Sequence, residues 1–163
     1  MPDHDSALLG VSGSGTDWPA DLLELYGTHW APMVRLARLL TAADAASEEI
    51  VQEAFLRVRT KWPTIDTPPA YLRAAVVNGC RNHQRRRLLE RRHPAAEQIV
   101  ADAPDEMRGA IAALPARQRA ALVLRFYEDL PEGEIAELMH CSVSAVKSLL
   151  HRAVGDLRKV IER

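Results

Sequence analysis

Apolar residues recur along this chain at every third or fourth position, which is the spacing of one face of an α-helix. The longest such stripe lies near the C-terminus and comprises Val143, Val146, Leu150, Ala153, Leu157 and the pair Val160 and Ile161. A shorter stripe of Ile135, Leu138 and Met139 precedes it, and the turn between them ends in Ser142, a favourable N-cap residue. Two helices joined by a sharp corner in this way are typical of a helix-turn-helix.

The same periodicity predicts five more helices, at residues 21–40, 45–62, 70–89, 105–114 and 116–127. Pro32 falls inside the first and is expected to kink or split it, while Asp44 or Ser47 is expected to cap the second. Pro69 is expected to open the third, and Met107 and Phe126 are expected to pack inward. No alternating β-branched run is present in the sequence, so the predicted fold class is all-α.

Two stretches lack this periodicity and divide the chain. Residues 1–18 are acidic and rich in Gly and Ser, which predicts a flexible tail. Residues 91–104 contain two prolines and are predicted to form a flexible linker. Fully extended, such a linker reaches about 50 Å, more than one turn of DNA. The prediction is therefore two small helical domains, at residues 19–90 and 105–163.

Charge is distributed unevenly, although the 163 residues carry a formal net charge of only −1. Six arginines and one acid, Glu90, lie between positions 81 and 92, whereas acids gather around positions 44–53. This separation favours a basic surface for nucleic acid and an acidic surface for a protein partner. The sequence shows neither a signal peptide nor an apolar span of membrane length, which predicts a cytoplasmic protein without membrane insertion.

Three other interpretations of the sequence compete with DNA binding. The first is an αα-hairpin whose polar face is only solvated. The second is a metal enzyme, since Cys80 lies near His83 and His140 adjoins Cys141, near His151 in sequence. A zinc site needs three or four converging ligands, so no metal, cofactor or catalytic residue is predicted. The third is a stand-alone helix-turn-helix regulator, which would leave the acidic helix and the arginine run without a joint purpose.

Three segments in order carry a resemblance to a known family: EEIVQEAFLRV, then PAYLRAAVVNGCRNHQRRR, then ALPARQRAALVLRFYEDLPEGEIAELMHCSVSAVKSLLHRA. Over residues 21–160 the chain resembles the extracytoplasmic-function (ECF) sigma factors of RNA polymerase, in particular the actinobacterial SigE-like group. The resemblance implies a sigma2 domain that binds the polymerase clamp and melts the −10 promoter element. It also implies a sigma4 domain that binds the polymerase flap and the −35 element. It leaves open whether an anti-sigma factor is a further partner.

The resemblance also assigns residues to these contacts. Glu49, Gln52 and Glu53 match the helix that binds the clamp. The loop at residues 64–69, with Asp66 and Thr67, matches the segment that holds a flipped −10 base, although it lacks the aromatic residue often found there. On the next helix Asn78 matches a polar residue at the −10 site and Arg81 follows it on the DNA side, and the basic run adds Arg85, Arg86 and Arg87 as predicted −10 contacts. The −35 recognition helix of the family is matched by Lys147, Ser148, His151 and Arg152, and Leu149 stands where the family often has a basic residue. The outward face of the same predicted helix adds Ser144 as a −35 contact.

Overall fold

The computed structural model describes residues 18–90 and 106–163, which we call the N-terminal and C-terminal halves. The N-terminal half consists of helices α1 (Ala20–Thr41), α2 (Asp44–Thr60) and α3 (Pro68–Glu90), with a short 3₁₀ helix (Trp62–Thr64) before α3. The C-terminal half consists of α4 (Glu106–Ala113), α5 (Ala116–Phe126), α6 (Glu132–Met139) and α7 (Val143–Ile161). The described residues contain no strand, in agreement with the predicted all-α fold.

Residues 1–17 of the predicted tail and the whole predicted linker at residues 91–104 lie outside the described residues. Trp18, the last residue of the predicted tail, is instead buried with an exposed fraction of 6%. The guanidinium of Arg59 lies 4.9 Å from the centre of its ring, a cation–π contact. The folded part of the N-terminal half therefore begins at least one residue earlier than predicted.

The core of the N-terminal half is built around aromatic residues from α1 and α2. The ring of Phe55 packs edge-on against Tyr26 at 5.1 Å and lies 6.1 Å from Trp30. Around it lie the apolar stripes of α2 and α3, fully buried at Val51, Val58, Leu72 and Val76. These stripes were predicted from the periodicity, and they hold the three helices in one bundle.

Of the two effects predicted for Pro32, a kink or a split, the split does not occur, because α1 is continuous from Ala20 to Thr41. Pro32 removes one backbone donor, but the buried residues on both sides of it (Tyr26 and Met33 among them) enter the same core. The apolar contacts on either side offset the lost hydrogen bond, so the helix does not end there.

The corner between α1 and α2 also differs from the predicted one. Neither Asp44 nor Ser47 caps α2 through its side chain. Ser47 is buried, and its hydroxyl donates instead to the carbonyl of Ala43 at 2.6 Å. The hydroxyl of Thr41 accepts from the amide of Ala43 at 3.2 Å and donates to the carbonyl of Ala37 at 2.7 Å. The polar groups of this buried corner are therefore satisfied within it.

The helix-turn-helix forms as predicted. His140 adopts the left-handed conformation (φ 53°) at the end of α6, and the amide of Cys141 donates to the carbonyl of Ala136 at 3.0 Å. The hydroxyl of Ser142 accepts from the amide of Ala145 at 3.1 Å, which makes it the N-cap of α7. This cap fixes the direction in which α7 leaves the corner.

Burial in the C-terminal half differs from the prediction near helix ends. Phe126 is 66% exposed and Met107 is 43% exposed, although both were expected to pack inward. The ends of the α7 stripe, Val143 and Val160 with Ile161, are also exposed. Helix α7 has 19 residues and is about 28 Å long, whereas α4, α5 and α6 have 8 to 11 residues. The ends of α7 therefore extend past its shorter neighbours.

The two halves pack against each other across α1 and α3. Val123, Leu124, Leu130 and Ile135 of the C-terminal half belong to the same buried cluster as the core of the N-terminal half.

Among the described residues, no helix is both long enough and apolar enough to cross a membrane.

Candidate nucleic-acid and polymerase interfaces

The outward side of α7 presents one polar and basic surface, which we call the recognition face. Its members are all exposed and comprise Ser144, Lys147, Ser148, His151 and Arg152. Val146 and Ala153 on the opposite side are buried, so these five side chains project away from the body. The Nζ atom of Lys147 lies 3.9 Å from a carboxylate oxygen of Glu132, an exposed ion pair that is easily exchanged for a phosphate. Leu149 is half-buried and therefore replaces a surface cation with a packing residue.

The outward side of α2 presents a second surface, which we call the α2 outer face. Glu49, Gln52 and Glu53 are exposed there, as predicted. The structure adds Leu56, which lies one turn further along the helix and is 41% exposed. A partner that covers Leu56 would remove its apolar area from water, and the acids beside it would form the polar rim of the interface. The sequence held a signal for Leu56, since it lies three positions after Glu53 and outside the buried stripe of Val51, Phe55 and Val58.

The loop before α3 is shorter than predicted, because α3 begins at Pro68 and both prolines lie in its first turn. The 3₁₀ helix orders the loop, and the hydroxyl of Thr64 donates to the carbonyl of Lys61 at 2.9 Å. Asp66 and Thr67 follow it and are exposed. The two side chains expected to hold a flipped base therefore stand at an ordered corner at the N-terminus of α3.

Asn78 and Arg81 lie one turn apart on α3 and are joined by a hydrogen bond. The guanidinium Nη2 of Arg81 donates to the side-chain oxygen of Asn78 at 2.8 Å and to the carbonyl of Leu138 at 3.0 Å. Burial and, to a smaller extent, the charges of Arg85 and Arg117 lower the pKa of Arg81. The predicted −10 residues are thus partly covered by the end of α6.

Arg85 and Arg86 lie further along α3 and are exposed. Both line a groove of about 440 Å³ between α2 and α3, together with Glu53, Arg57 and Asn82. The structure therefore brings two predicted DNA-binding arginines to the edge of the α2 outer face. Arg87 is half-buried, so the arginine run is divided between neighbouring sides of the helix.

Arg119 of α5 is a buried arginine that sequence analysis did not single out. Its exposed fraction is 7%, and it donates to the carbonyls of Leu40 (3.0 Å), Ala112 (2.9 Å) and Leu114 (3.3 Å). Burial lowers the pKa of Arg119. Burial also raises the pKa of the nearby Cys80 thiol to about 12, an increase that the charge of Arg119 partly opposes. The sequence contained a signal for the burial of Arg119, since it lies three positions before the buried Leu122 and therefore on the inner side of α5.

The residues considered for a metal site do not converge. Within residues 18–90 and 106–163, no group of three or more His, Cys, Asp or Glu side chains could hold a metal ion. Both cysteines are unbridged, Cys80 buried and Cys141 half-buried.

Comparison with known families matches two consecutive segments of the chain. Residues 25–89 match the model of sigma-70 region 2, and residues 105–157 match that of sigma-70 region 4. The first segment contains the α2 outer face and most of α3. The second segment contains α6, the turn after it and most of α7, the helix that carries the recognition face.

Individual relatives agree with these matches. The RNA polymerase sigma-E factor of Streptomyces coelicolor is 29% identical over 147 residues, covering 83% of each chain. The ECF RNA polymerase sigma factor SigL of Mycobacterium tuberculosis is 29% identical over 171 residues, covering 93% of this chain and 95% of its own.

Among solved structures, the sigma factor RpoE of Bartonella quintana, in complex with the anti-sigma factor NepR, has the same fold. Its TM-score is 0.72 at 19% identity, and the match covers 88% of this chain and 98% of RpoE. The structure of CnrH has a TM-score of 0.62 at 19% identity. With both sigma-70 regions present in order in one helical chain, this protein belongs to the extracytoplasmic-function sigma factors of RNA polymerase.

Proposed function

We propose that this sigma factor divides its work among three surfaces: the α2 outer face, the N-terminal end and outward side of α3, and the recognition face of α7. As a sigma factor, the protein binds the RNA polymerase core and directs it to start transcription at specific promoters. The single observation that supports this division best is that α2 and α7, in different halves, each present an exposed set of side chains suited to a different partner. The domains we assign to them are residues 19–90 and 105–163.

The α2 outer face would bind the polymerase clamp. Glu49 and Glu53 supply negative charge, which complements a basic partner and speeds its association. Leu56 would add apolar area that is removed from water when the complex forms. The charged residues would then select the docking site, and Leu56 would slow dissociation.

The recognition face would enter the major groove of the −35 element. Ser144 and Ser148 are short, which lets the helix approach the base edges closely. Lys147 and Arg152 can contact phosphates or guanine edges, and His151 lies between them on the same side. The remaining surface of the C-terminal half would bind the polymerase flap.

The N-terminal end of α3 would capture the melted −10 strand. A flipped base needs a preformed pocket, and Asp66 and Thr67 lie at the ordered corner where such a pocket would form. The single strand next to it needs positive charge, which Arg81, Arg85, Arg86 and Arg87 would supply along α3. Asn78 would provide the polar contact to a base.

The chain would act without catalysis of its own, because the polymerase supplies the active site. It would act in the cytoplasm, where the polymerase transcribes the genome. An anti-sigma factor is a further candidate partner, since RpoE, which shares this fold, was solved bound to one. A stand-alone regulator would have no use for the α2 outer face.

Run-off transcription with purified core polymerase tests the proposal. A sigma factor gives a transcript of defined length from its promoter, and core polymerase alone does not. A protein that binds DNA but only lowers transcription by a complete holoenzyme would be a repressor, which would contradict the proposal.

A further inference from the structure

An ion pair links the first helix of the helix-turn-helix to the recognition face. The Nζ atom of Lys147 lies 3.9 Å from the carboxylate oxygen Oε2 of Glu132. Glu132 is the first residue of α6, whereas Lys147 lies one turn into α7. Their side chains are 34% and 66% exposed, so both remain accessible to DNA. The recognition face is therefore bordered by a carboxylate that comes from the neighbouring helix.

The ion pair with Lys147 distinguishes Glu132 from a second acid in the same turn. Glu132 and Glu134 both lie in the first turn of α6, where negative charge complements the positive end of the helix. Glu134 is exposed and forms no ion pair with any residue that the structure describes. A contribution to helix stability is thus shared by the two acids, whereas the contact with the recognition face belongs to Glu132.

A carboxylate beside the recognition face restricts which groups of DNA can lie against it. Carboxylates accept hydrogen bonds and donate none, and the negative phosphates repel them. In the major groove, the groups that donate are the amino groups N4 of cytosine and N6 of adenine. DNA that keeps Glu132 next to its base edges must therefore present one of these amino groups to the carboxylate.

The neighbouring lysine decides between the two amino groups. The ammonium of Lys147 only donates, and guanine offers it two acceptors, O6 and N7. In a G·C pair, guanine O6 and cytosine N4 are hydrogen-bonded to each other and are therefore about 2.9 Å apart. An ammonium and a carboxylate 3.9 Å apart can thus meet the guanine and the cytosine of one base pair side by side.

Replacement of that G·C pair by A·T affects the two side chains differently. Adenine keeps the N7 acceptor, so Lys147 alone would still find a partner. On the other strand thymine presents O4, an acceptor, where cytosine presents its amino group. The carboxylate of Glu132 would then face an oxygen without a hydrogen between them, which is unfavourable. Discrimination between guanine and adenine therefore comes mainly from Glu132.

We propose that Glu132 and Lys147 together read one G·C base pair of the −35 element. Lys147 donates to guanine, and Glu132 accepts from N4 of the paired cytosine and excludes A·T from that position. This role rests on the proposed binding of the recognition face to the −35 element. None of the five residues of that face is an acid, so Glu132 supplies the carboxylate that it lacks.

A promoter library with a randomised −35 region tests this role. The full chain is bound to core polymerase, and barcoded transcripts report initiation from each library member, with the downstream sequence taken from a start site that the wild-type protein uses. We expect one −35 position at which wild type prefers G·C over A·T by at least about tenfold. With Glu132→Ala, the preference at that position should fall to about threefold or less, and the other positions should keep theirs.

Two further variants complete the test. Glu134→Ala removes the same charge from the same helical turn and should leave the preference for G·C over A·T unchanged. Lys147→Ala should weaken the preference for guanine at the same position that Glu132→Ala affects. Circular dichroism checks that all variants keep their helix content.

An unchanged preference in Glu132→Ala would overturn the proposal. Stronger initiation from every library member alike, as expected if Lys147 leaves Glu132 for a phosphate, would also overturn it, because Glu132 would then act through its charge alone. Effects of Glu132→Ala and Lys147→Ala at different positions would show that the two residues do not share a base pair. A wild-type protein without any sequence preference in the −35 region would instead refute the assignment of the recognition face itself.

Discussion

The guanidinium of Arg119 donates to the main-chain carbonyl of Leu40 across 3.0 Å, between residues 79 positions apart in the sequence. This contact joins the helix-turn-helix half to the end of the first helix. Because Arg119 is buried, its hydrogen bonds are not exchanged for bonds to water. Arg119 therefore anchors one half of the molecule to the other.

Arg119→Ala should reduce the free energy of unfolding by about 3 kcal/mol, because it removes the donor to the carbonyls of Ala112 and Leu114 and one of the two donors to the carbonyl of Leu40. Urea denaturation followed by circular dichroism measures the change. Arg117→Ala is the matched control, since Arg117 lies on the same helix but is exposed. Its effect should stay within about 0.5 kcal/mol. Equal losses in the two variants would contradict the anchoring role of Arg119.

Gly79→Ala should destabilise the N-terminal half by about 1–3 kcal/mol. A Cβ atom at this position would lie 2.8 Å from Cγ2 of Ile50, so α2 and α3 would have to separate. Gly27→Ala provides the comparison, because Gly27 is also helical and has nothing within 4 Å of an added Cβ. That variant should gain about 0.5–1 kcal/mol from its better helix propensity. Thermal melting measures the stability of both variants. A Gly79→Ala variant that melts at a higher temperature than wild type would contradict the close approach of α2 and α3.

Lys147→Ala combined with Arg152→Ala should lower −35-dependent transcription at least about tenfold, since each contact is worth about 1 kcal/mol or more. The salt dependence of promoter binding should become shallower by a slope of about two. Arg108→Ala with Arg117→Ala removes the same charge from exposed positions outside the recognition face and should leave both quantities near wild type. Core polymerase affinity, measured by fluorescence anisotropy, should be unchanged. If the Lys147 and Arg152 variant loses core affinity and transcription equally, the assignment of α7 to DNA is wrong.

Glu53→Lys should weaken binding to core polymerase at least about tenfold, because it reverses a charge at the centre of the α2 outer face. Glu24→Lys makes the same charge change at an exposed position on α1 and should have little effect. Titration of labelled protein with core enzyme gives both affinities. An unchanged affinity for Glu53→Lys would remove the α2 outer face from the docking site.

Local sequence signals predicted the helices and the exposed surfaces well, for a physical reason. Helical periodicity and N-capping depend on residues within a few positions of each other, so Ser142 and the recognition face could be placed from the sequence. The continuity of α1 through Pro32 could not be predicted from the sequence, because the apolar contacts that stabilise it come from other helices.

The contacts between the two halves could not be predicted from local sequence patterns either. Arg73 donates to Glu128, 55 positions away, and Arg81 donates to the carbonyl of Leu138, 57 positions away. Nothing in the spacing of charges or apolar residues specifies which of many arginines meets a given acceptor across such a separation. The arginine run predicted an open basic surface that includes Arg81, whereas in the structure Arg81 is hydrogen-bonded to the end of α6.

In our proposal, one chain docks on polymerase and directs it to promoters with two spaced DNA elements. Sequencing the 5′ ends of transcripts made by core polymerase and this protein on genomic DNA is the strongest test of it. We expect start sites preceded by two sequence elements at a fixed spacing, absent with core alone and lost with Lys147→Ala/Arg152→Ala. Start sites that are the same with and without the protein would contradict it.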